Sequence, residues 1–318
     1  PMLREYNLPE NYVELLTGVK ERRYWDEGQD GLLEGSVTAA RKVLAATGIK
    51  ASELGALVYG GVCRHNLEPA MACGVGEQLG MPSSALVYDV SNACLGMLNG
   101  MVDVATRVSA GQMQYGLVVA CESSREIVEL TTQRVLEGRD LSLLHNSLAT
   151  FTGGSGAAAV LIGPGNDERG PGHQFKGATW KNEIRHNQLC RWGFQRKPDH
   201  SFAQIMETHA PQVLKAGVEL GKSTWQAFLA ELSWTTQSIR RVIPHQVGKA
   251  NRQQMGVAMG LAPGQDIETY SYLGNMGSVS VPLTAAIAEE QGLIQQGDRV
   301  VFAGIGSGLN CIMMGVEW

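Results

Sequence analysis

The chain has 318 residues, 44% hydrophobic and 18% charged, enough apolar sequence to bury one large α/β core or two fused half-sized ones. A net charge of -5 without a long basic run excludes the electrostatic footprint of a nucleic-acid or anionic-membrane binder. No apolar run reaches the length of a membrane span, the opening residues are charged rather than signal-like, and Cys63, Cys73, Cys94, Cys121, Cys190 and Cys311 show neither C-x-x-C nor zinc spacing. These features predict a cytoplasmic protein with reduced thiols, no metal, and small-molecule chemistry.

In chain order, "SVTAARKVLAAT" (36–47) has helical periodicity, "ALVYGGV" (56–62) reads as a buried strand, and "ACGVGEQLG" (72–80) as a short helix. Strand "ALVYDV" (85–90) runs into a small-residue corner holding Cys94, then into helix "LGMLNGMVDVATRVSAG" (95–111), which Gly111 closes. Strand "YGLVVACESS" (115–124) follows.

The second half repeats this order. "LAATGIKASELGALVYGGV" (44–62) lies over "LAELSWTTQSIRRVIPHQV" (229–247) at a constant offset of 185, pairing Leu44 with Leu229, Leu54 with Ile239 and Val58 with Ile243. Further on, "DVSNAC" meets "SYLGNM" and "YGLVVACESS" meets "RVVFAGIGSG". The apolar pattern repeats more than the letters do, which predicts a duplicated α/β unit. The Gly/Pro-rich run 163–172 is the natural joint, and two unrepeated stretches, 125–152 and 179–198, are where a substrate channel is expected.

Three residues stand out at the corners. Cys94 is either a packing thiol or a nucleophile whose thiolate the helix start would stabilise, lowering its pKa. His245, after Pro244 at a strand end, is either a surface-turn histidine or one turned toward a site. Asn275, between Gly274 and Gly277 in the second corner, is either a turn asparagine or a polar group aimed at the first corner. An internal pseudo-twofold would bring both corners to the centre, where a cysteine could carry an acyl group while imidazole and amide N–H groups stabilise an enolate. "GIGSGLN" (304–310) could bring the Gly306 N–H to the cysteine as an oxyanion donor; a phosphate loop is its weaker rival, because a strand and not a helix follows.

With "NACLG", "IPHQV", "LGNMGSVSVP" and "GIGSGLN" in this order, the chain resembles the thiolase superfamily, in its ketoacyl synthase III branch, from about residue 15 to the end. The resemblance implies a five-layered α-β-α-β-α thiolase fold with two duplicated halves, 1–165 carrying the nucleophile and 166–318 carrying His245 and Asn275. It also implies a homodimer and a Claisen condensation through acyl-Cys94, with Cys94 and Gly306 N–H groups as the oxyanion hole. The family's first core strand would precede Pro1.

Within the branch, "CRHNLEPAMAC" (63–73) resembles the head-to-head acyl-CoA condensing enzymes of bacterial olefin biosynthesis. In that subfamily the residue matching Glu68 reaches the active site of the opposite subunit and serves as a base. A decarboxylating synthase needs no such base, whereas condensation of two acyl-CoAs must remove an α-proton, a task that suits a desolvated carboxylate.

The expected substrates are acyl-CoA thioesters, with acyl carrier protein as an alternative donor and no separate cofactor. The rivals are a 3-oxoacyl carrier-protein synthase III using malonyl carrier protein, an inactive thiolase-fold scaffold, and a cysteine hydrolase. Where malonyl-using synthases place tryptophan and arginine at coenzyme A, this chain has Tyr12 and Leu16. Lys249 and Arg252 are the candidates for coenzyme A or carrier contact. Gly96, Gly100 and Ala105 either shape an acyl tunnel or pack helices closely.

Overall fold

The structure is a computed structural model that describes residues 2–26, 31–165, 167, 172–196 and 200–318. Half of the Gly/Pro-rich joint 163–172 lies outside the described residues. Among the described residues no helix is long and apolar enough to cross a membrane.

The first half begins with α1 (Met2–Glu5), α2 (Tyr12–Thr17), α3 (Gly31–Thr47), β1 (Leu54–Tyr59), α4 (Met71–Leu79), β2 (Leu86–Asp89), α5 (Gly96–Ser109) and β3 (Tyr115–Glu122). The unrepeated stretch 125–152 folds as three helices, α6 (Arg125–Gly138), α7 (Leu141–Asn146) and α8 (Leu148–Phe151), before β4 (Gly156–Ile162). The second half holds β5 (Gln174–Asn182), the hairpin β6 (Cys190–Arg196) and β7 (Phe202–Thr208), α9 (Ala210–Leu232) and β8 (Arg241–Pro244). It ends with α10 (Lys249–Met259), α11 (Tyr270–Leu273), α12 (Ser280–Glu290), β9 (Arg299–Gly306) and β10 (Asn310–Glu317).

Two four-stranded sheets result, in the orders β2-β1-β3-β4 and β5-β10-β9-β8. β1 runs parallel to β2 and β3, and β8 parallel to β9, while β4 and β10 close their pairs antiparallel. The inner strands β1, β3, β9 and β10 are largely apolar because both faces are covered, whereas the edge strand β5 is polar and exposed at both ends. Leu57, Tyr59, Leu117 and Val119 pack outward against α3 and α4, whereas Val58, Val118 and Ala120 pack inward against α5. In the second sheet Val300, Phe302, Ile312 and Met314 join the same central layer, and Val301, Ala303, Cys311 and Met313 face α9. Helix pair, sheet, the central pair α5 and α12, sheet, helix pair is a five-layered arrangement.

The duplication is visible in the smallest elements. One-turn 3₁₀ helices at Ala51–Glu53 and Thr236–Ser238 sit at the offset of 185 that the apolar pattern gives, the second closed by a capping box and the first by Glu53 Oε2 accepting the Lys50 N–H at 2.8 Å. At the corners the register differs from expectation. The turns Ala93–Leu95 and Gly277–Val279, and the strands β3 and β9, are related by 184, so Cys94 corresponds to Ser278 and not to Met276. Loop residues carry no apolar period, so pattern matching slipped there by two. The unrepeated stretch 179–198 also divides: its start completes β5 in the core sheet, and only the rest is an insertion.

Candidate active site

The Cys94 corner is built by close backbone approach. β2 delivers the chain into the 3₁₀ turn Ala93–Leu95, and α5 begins at Gly96, so Cys94 stands just before the helix rather than as its first residue. Ala93 holds φ +47°, a left-handed conformation that costs an alanine of order 1–3 kcal/mol and that the surrounding packing must impose. Gly96 has no alternative, since a Cβ there would stand 2.0 Å from the Gly60 carbonyl oxygen. Gly100 packs likewise between Val118 and Val58. These small residues serve close packing; none of Gly96, Gly100 and Ala105 lines a channel.

The turn is fastened to the terminal loop. Asn310 donates to Asn92 Oδ1 at 3.0 Å, and Asn92 in turn donates to Asn99 at 2.6 Å. Gly306, the last residue of β9, lies beside the turn: a Cβ on it would be 3.4 Å from the Cys94 backbone nitrogen. The second corner is pinned to the first half. The Asn275 N–H donates to the Thr152 carbonyl at 2.8 Å and its carbonyl accepts from Gly154 at 2.9 Å. Its Oδ1 accepts the Gly277 N–H at 3.0 Å, which leaves the side-chain NH₂ as the group available to a substrate.

Cys94, His245, Asn275 and Gly306 all line one cavity of about 580 Å³. Their convergence is what the pseudo-twofold predicted. Arg252 also lines the cavity but is held on Asp266, with Nη2 3.1 Å from Oδ1, and that carboxylate raises its pKa further. Lys249 is exposed and does not line it, nor does Glu68, which is exposed on the loop after β1 of its own chain.

Of the two readings of His245, the structure removes the surface-turn histidine. The His245 N–H donates to the Ala303 carbonyl at 2.9 Å, extending the strand pairing past Pro244, and only 8% of the residue is exposed. Burial lowers its pKa to about 4, so at neutral pH it is an uncharged imidazole that can offer one N–H to a developing oxyanion.

The thiol shifts in the direction opposite to the one expected. Burial raises Cys94 to about 12, with Cys190 and then Glu122 adding to it. A helix start stabilises a nearby charge by about 0.3–1 kcal/mol, less than desolvating a thiolate costs against apolar walls. The resting form is therefore the thiol. Iodoacetamide modification of Cys94, followed by mass spectrometry of its peptide, should rise about tenfold per pH unit between about pH 7 and 10. Levelling below about pH 8 would show that the helix start prevails after all.

Sequence reasoning missed two parts of the cavity, the buried acid Glu122 and the arm beside α9 and α10. Glu122, at the end of β3, is the only carboxylate among its described lining residues, and 3% of it is exposed. Its signal was an acid closing an otherwise apolar strand. The 179–198 stretch lines the cavity as expected, through Cys190 and Trp192 at the hairpin base, with Met206 and Thr208 on the strand paired to it, where Glu207 bonds Arg191 at 3.0 Å and Arg134 of α6 at 2.9 Å. The apolar arm of the cavity runs under α9 and α10 past Val213, Gly217, Gly221, Met255 and Met313, while the expected 125–152 stretch adds Ile127, Ala149 and Thr150. A Cβ at Gly217 would stand 3.1 Å from Ile305 Cδ1, and one at Gly221 2.5 Å from Met255.

Comparison with known proteins follows the same lines. Residues 229–318 match the 3-oxoacyl-[acyl-carrier-protein] synthase III C-terminal family. An acyl-CoA:acyl-CoA alkyltransferase of Shewanella oneidensis is 45% identical over 100% of this chain and 91% of its own length, and one of Xanthomonas campestris is 31% identical over 95% and 87%. A beta-ketoacyl-[acyl-carrier-protein] synthase III of Natranaerobius thermophilus is 26% identical over 97% of this chain and 91% of its own. The structure of Xanthomonas campestris OleA with bound lauric acid and lauroyl-CoA superposes with a TM-score of 0.91 at 29% identity, covering 100% of this chain and 91% of that one. The fold is the thiolase fold of these enzymes, and the chain belongs to the acyl-CoA:acyl-CoA alkyltransferase family of synthase III-like condensing acyltransferases.

Proposed function

We propose that this enzyme joins two acyl-CoA molecules by a non-decarboxylative Claisen condensation. The observation that carries the reading is the convergence of Cys94, His245, Asn275 and Gly306 on one cavity with an apolar arm. Cys94 attacks the first thioester, its N–H and that of Gly306 hold the oxyanion, and coenzyme A leaves with the thiol proton. A base removes an α-proton from the second acyl-CoA while His245 and Asn275 donate to the enolate oxygen. The enolate attacks acyl-Cys94, a carbon–carbon bond forms, and the departing Cys94 sulfur recovers a proton from that base. The product is a β-ketoacyl thioester branched at its α-carbon.

The only carboxylate among the described lining residues, Glu122, is already engaged, so a carboxylate base would come from elsewhere. Glu122 accepts four hydrogen bonds and has no free oxygen to offer. Glu68, exposed on its loop, is free to reach a second copy, which makes the enzyme a homodimer with each site completed in trans. Lys249 at the start of α10 and Arg252 are the candidates for coenzyme A phosphate contact, Lys249 the freer of the two because Arg252 is already paired.

Purified protein given acyl-CoA alone should release coenzyme A and form the branched product. If turnover requires malonyl carrier protein, the chain is an ordinary synthase III instead, and Glu68 is not a base. Absence of any acyl adduct on Cys94 would leave only a scaffold.

A further inference from the structure

The pseudo-twofold assigns a counterpart to each part of the oxyanion hole, and one of these is filled by the protein itself. Cys94 corresponds to Ser278 and Gly306 to Glu122, at the common offset of 184. In the first corner the Cys94 and Gly306 N–H groups flank space that the cavity leaves open. In the second, the Glu122 carboxylate accepts the Ser278 N–H at 3.1 Å and its hydroxyl at 2.6 Å. The same carboxylate accepts the Val62 and Cys63 N–H groups, both at 3.0 Å, at the root of the loop that carries Glu68. Gly277 is fitted to this contact. It holds φ +54°, and a Cβ there would lie 2.9 Å from Glu122 Oε1.

We propose that Glu122 is a positioning residue for carbon–carbon bond formation: it fixes the Asn275 turn and the root of the Glu68 loop on one buried carboxylate. The path is short. Glu122 holds Ser278, the Gly277 N–H holds Asn275 Oδ1, and the Asn275 NH₂ is thereby aimed at the enolate. The acylation half of the reaction uses a corner fastened separately, through Asn92 and Asn310. Its negative charge also opposes a Cys94 thiolate, so removing it gives acylation no reason to slow. This inference rests on the two-step reading above.

The test is a double-mutant cycle read on each step. In E122Q the amide oxygen can keep the Val62 and Ser278 donors that Oε1 holds, while the new NH₂ faces the Cys63 N–H, so the bond to Cys63 at the loop root is lost without a change in volume. Condensation by E122Q should fall about 10²-fold in kcat, since a misplacement of about 1 Å has that effect. Formation of acyl-Cys94, followed by mass spectrometry and coenzyme A release, should stay within about threefold of wild type. In an N275A background Ser278→Ala, which acts through the Asn275 turn and not the loop root, should slow condensation by less than about threefold, because the two act as a unit. Ser278→Ala, which keeps the charge and removes one donor, should show the same pattern more weakly and serves if E122Q does not fold. Equal slowing of both steps, or defects that multiply in the double variant, would overturn the proposal. Failure of the wild-type chain to condense acyl-CoA would instead overturn the reading of function, and the cycle would then be run on the condensation it does perform.

Discussion

Cys94→Ser and Cys94→Ala lose condensation by about 10⁴-fold or more, with no acyl adduct, while acyl-CoA binding persists. The expectation follows from the geometry. Cys94 stands at the left-handed turn Ala93–Leu95 with the Gly306 backbone beside it, so the carbonyl of any thioester held by these N–H groups faces its sulfur. Neither substitution changes the apolar arm, and so binding and chemistry should separate. The control is built into the cavity, because Cys63, Cys190 and Cys311 also line it. Residual turnover within about tenfold of wild type, with an adduct on one of these thiols, would assign the nucleophile elsewhere.

Glu68→Ala should lose about 10³-fold in condensation, the range of a general base, while still forming acyl-Cys94. The informative measurement is a mixture. In a dimer of one Cys94→Ala and one Glu68→Ala subunit, one site has both an intact cysteine and an intact glutamate only if the glutamate crosses between chains. Equal mixing and refolding of two inactive variants should then restore about a quarter of wild-type activity, since half the dimers are mixed and each has one whole site. No recovery would place Glu68 in its own chain's site or outside the reaction. The mixture also tests the homodimer independently of any contact area.

What the sequence made legible follows the period of its apolar residues. Strands covered on both faces and helices of regular repeat announced themselves, and the offset of 185 from Leu44 to Val62 located β8 and the turn before it. Chemistry-bearing side chains at strand ends were visible for the same reason: Cys94, His245, Asn275 and Gly306 interrupt such patterns. The corner itself was not, and Ser278 rather than Met276 proved to be the partner of Cys94, because glycine-rich turns have no period to align. Glu122 stayed hidden because its donors lie about 60 and 156 positions away in the chain. The direction of the thiol shift was unreadable for a related reason. A helix start is local and can be seen in a sequence, but desolvation is the sum of distant walls. The 179–198 stretch was legible as channel-building because it has no counterpart in the other half, but its partner strand was not, since the pairing of Trp192 with Met206 has no local pattern.

The glycines of α9 separate two inheritable traits. Gly217 and Gly221 are one helical turn apart on the outermost layer, whereas the catalytic turns belong to loops at the central layer. A methyl group at Gly221 would press on Met255, away from Cys94, His245 and Asn275, whereas one at Gly217 would press on Ile305, the neighbour of Gly306. On the proposed reading, in which the arm receives an acyl chain, Gly221 is then the position where chain-length preference can drift between lineages while the bond-forming residues stay constant.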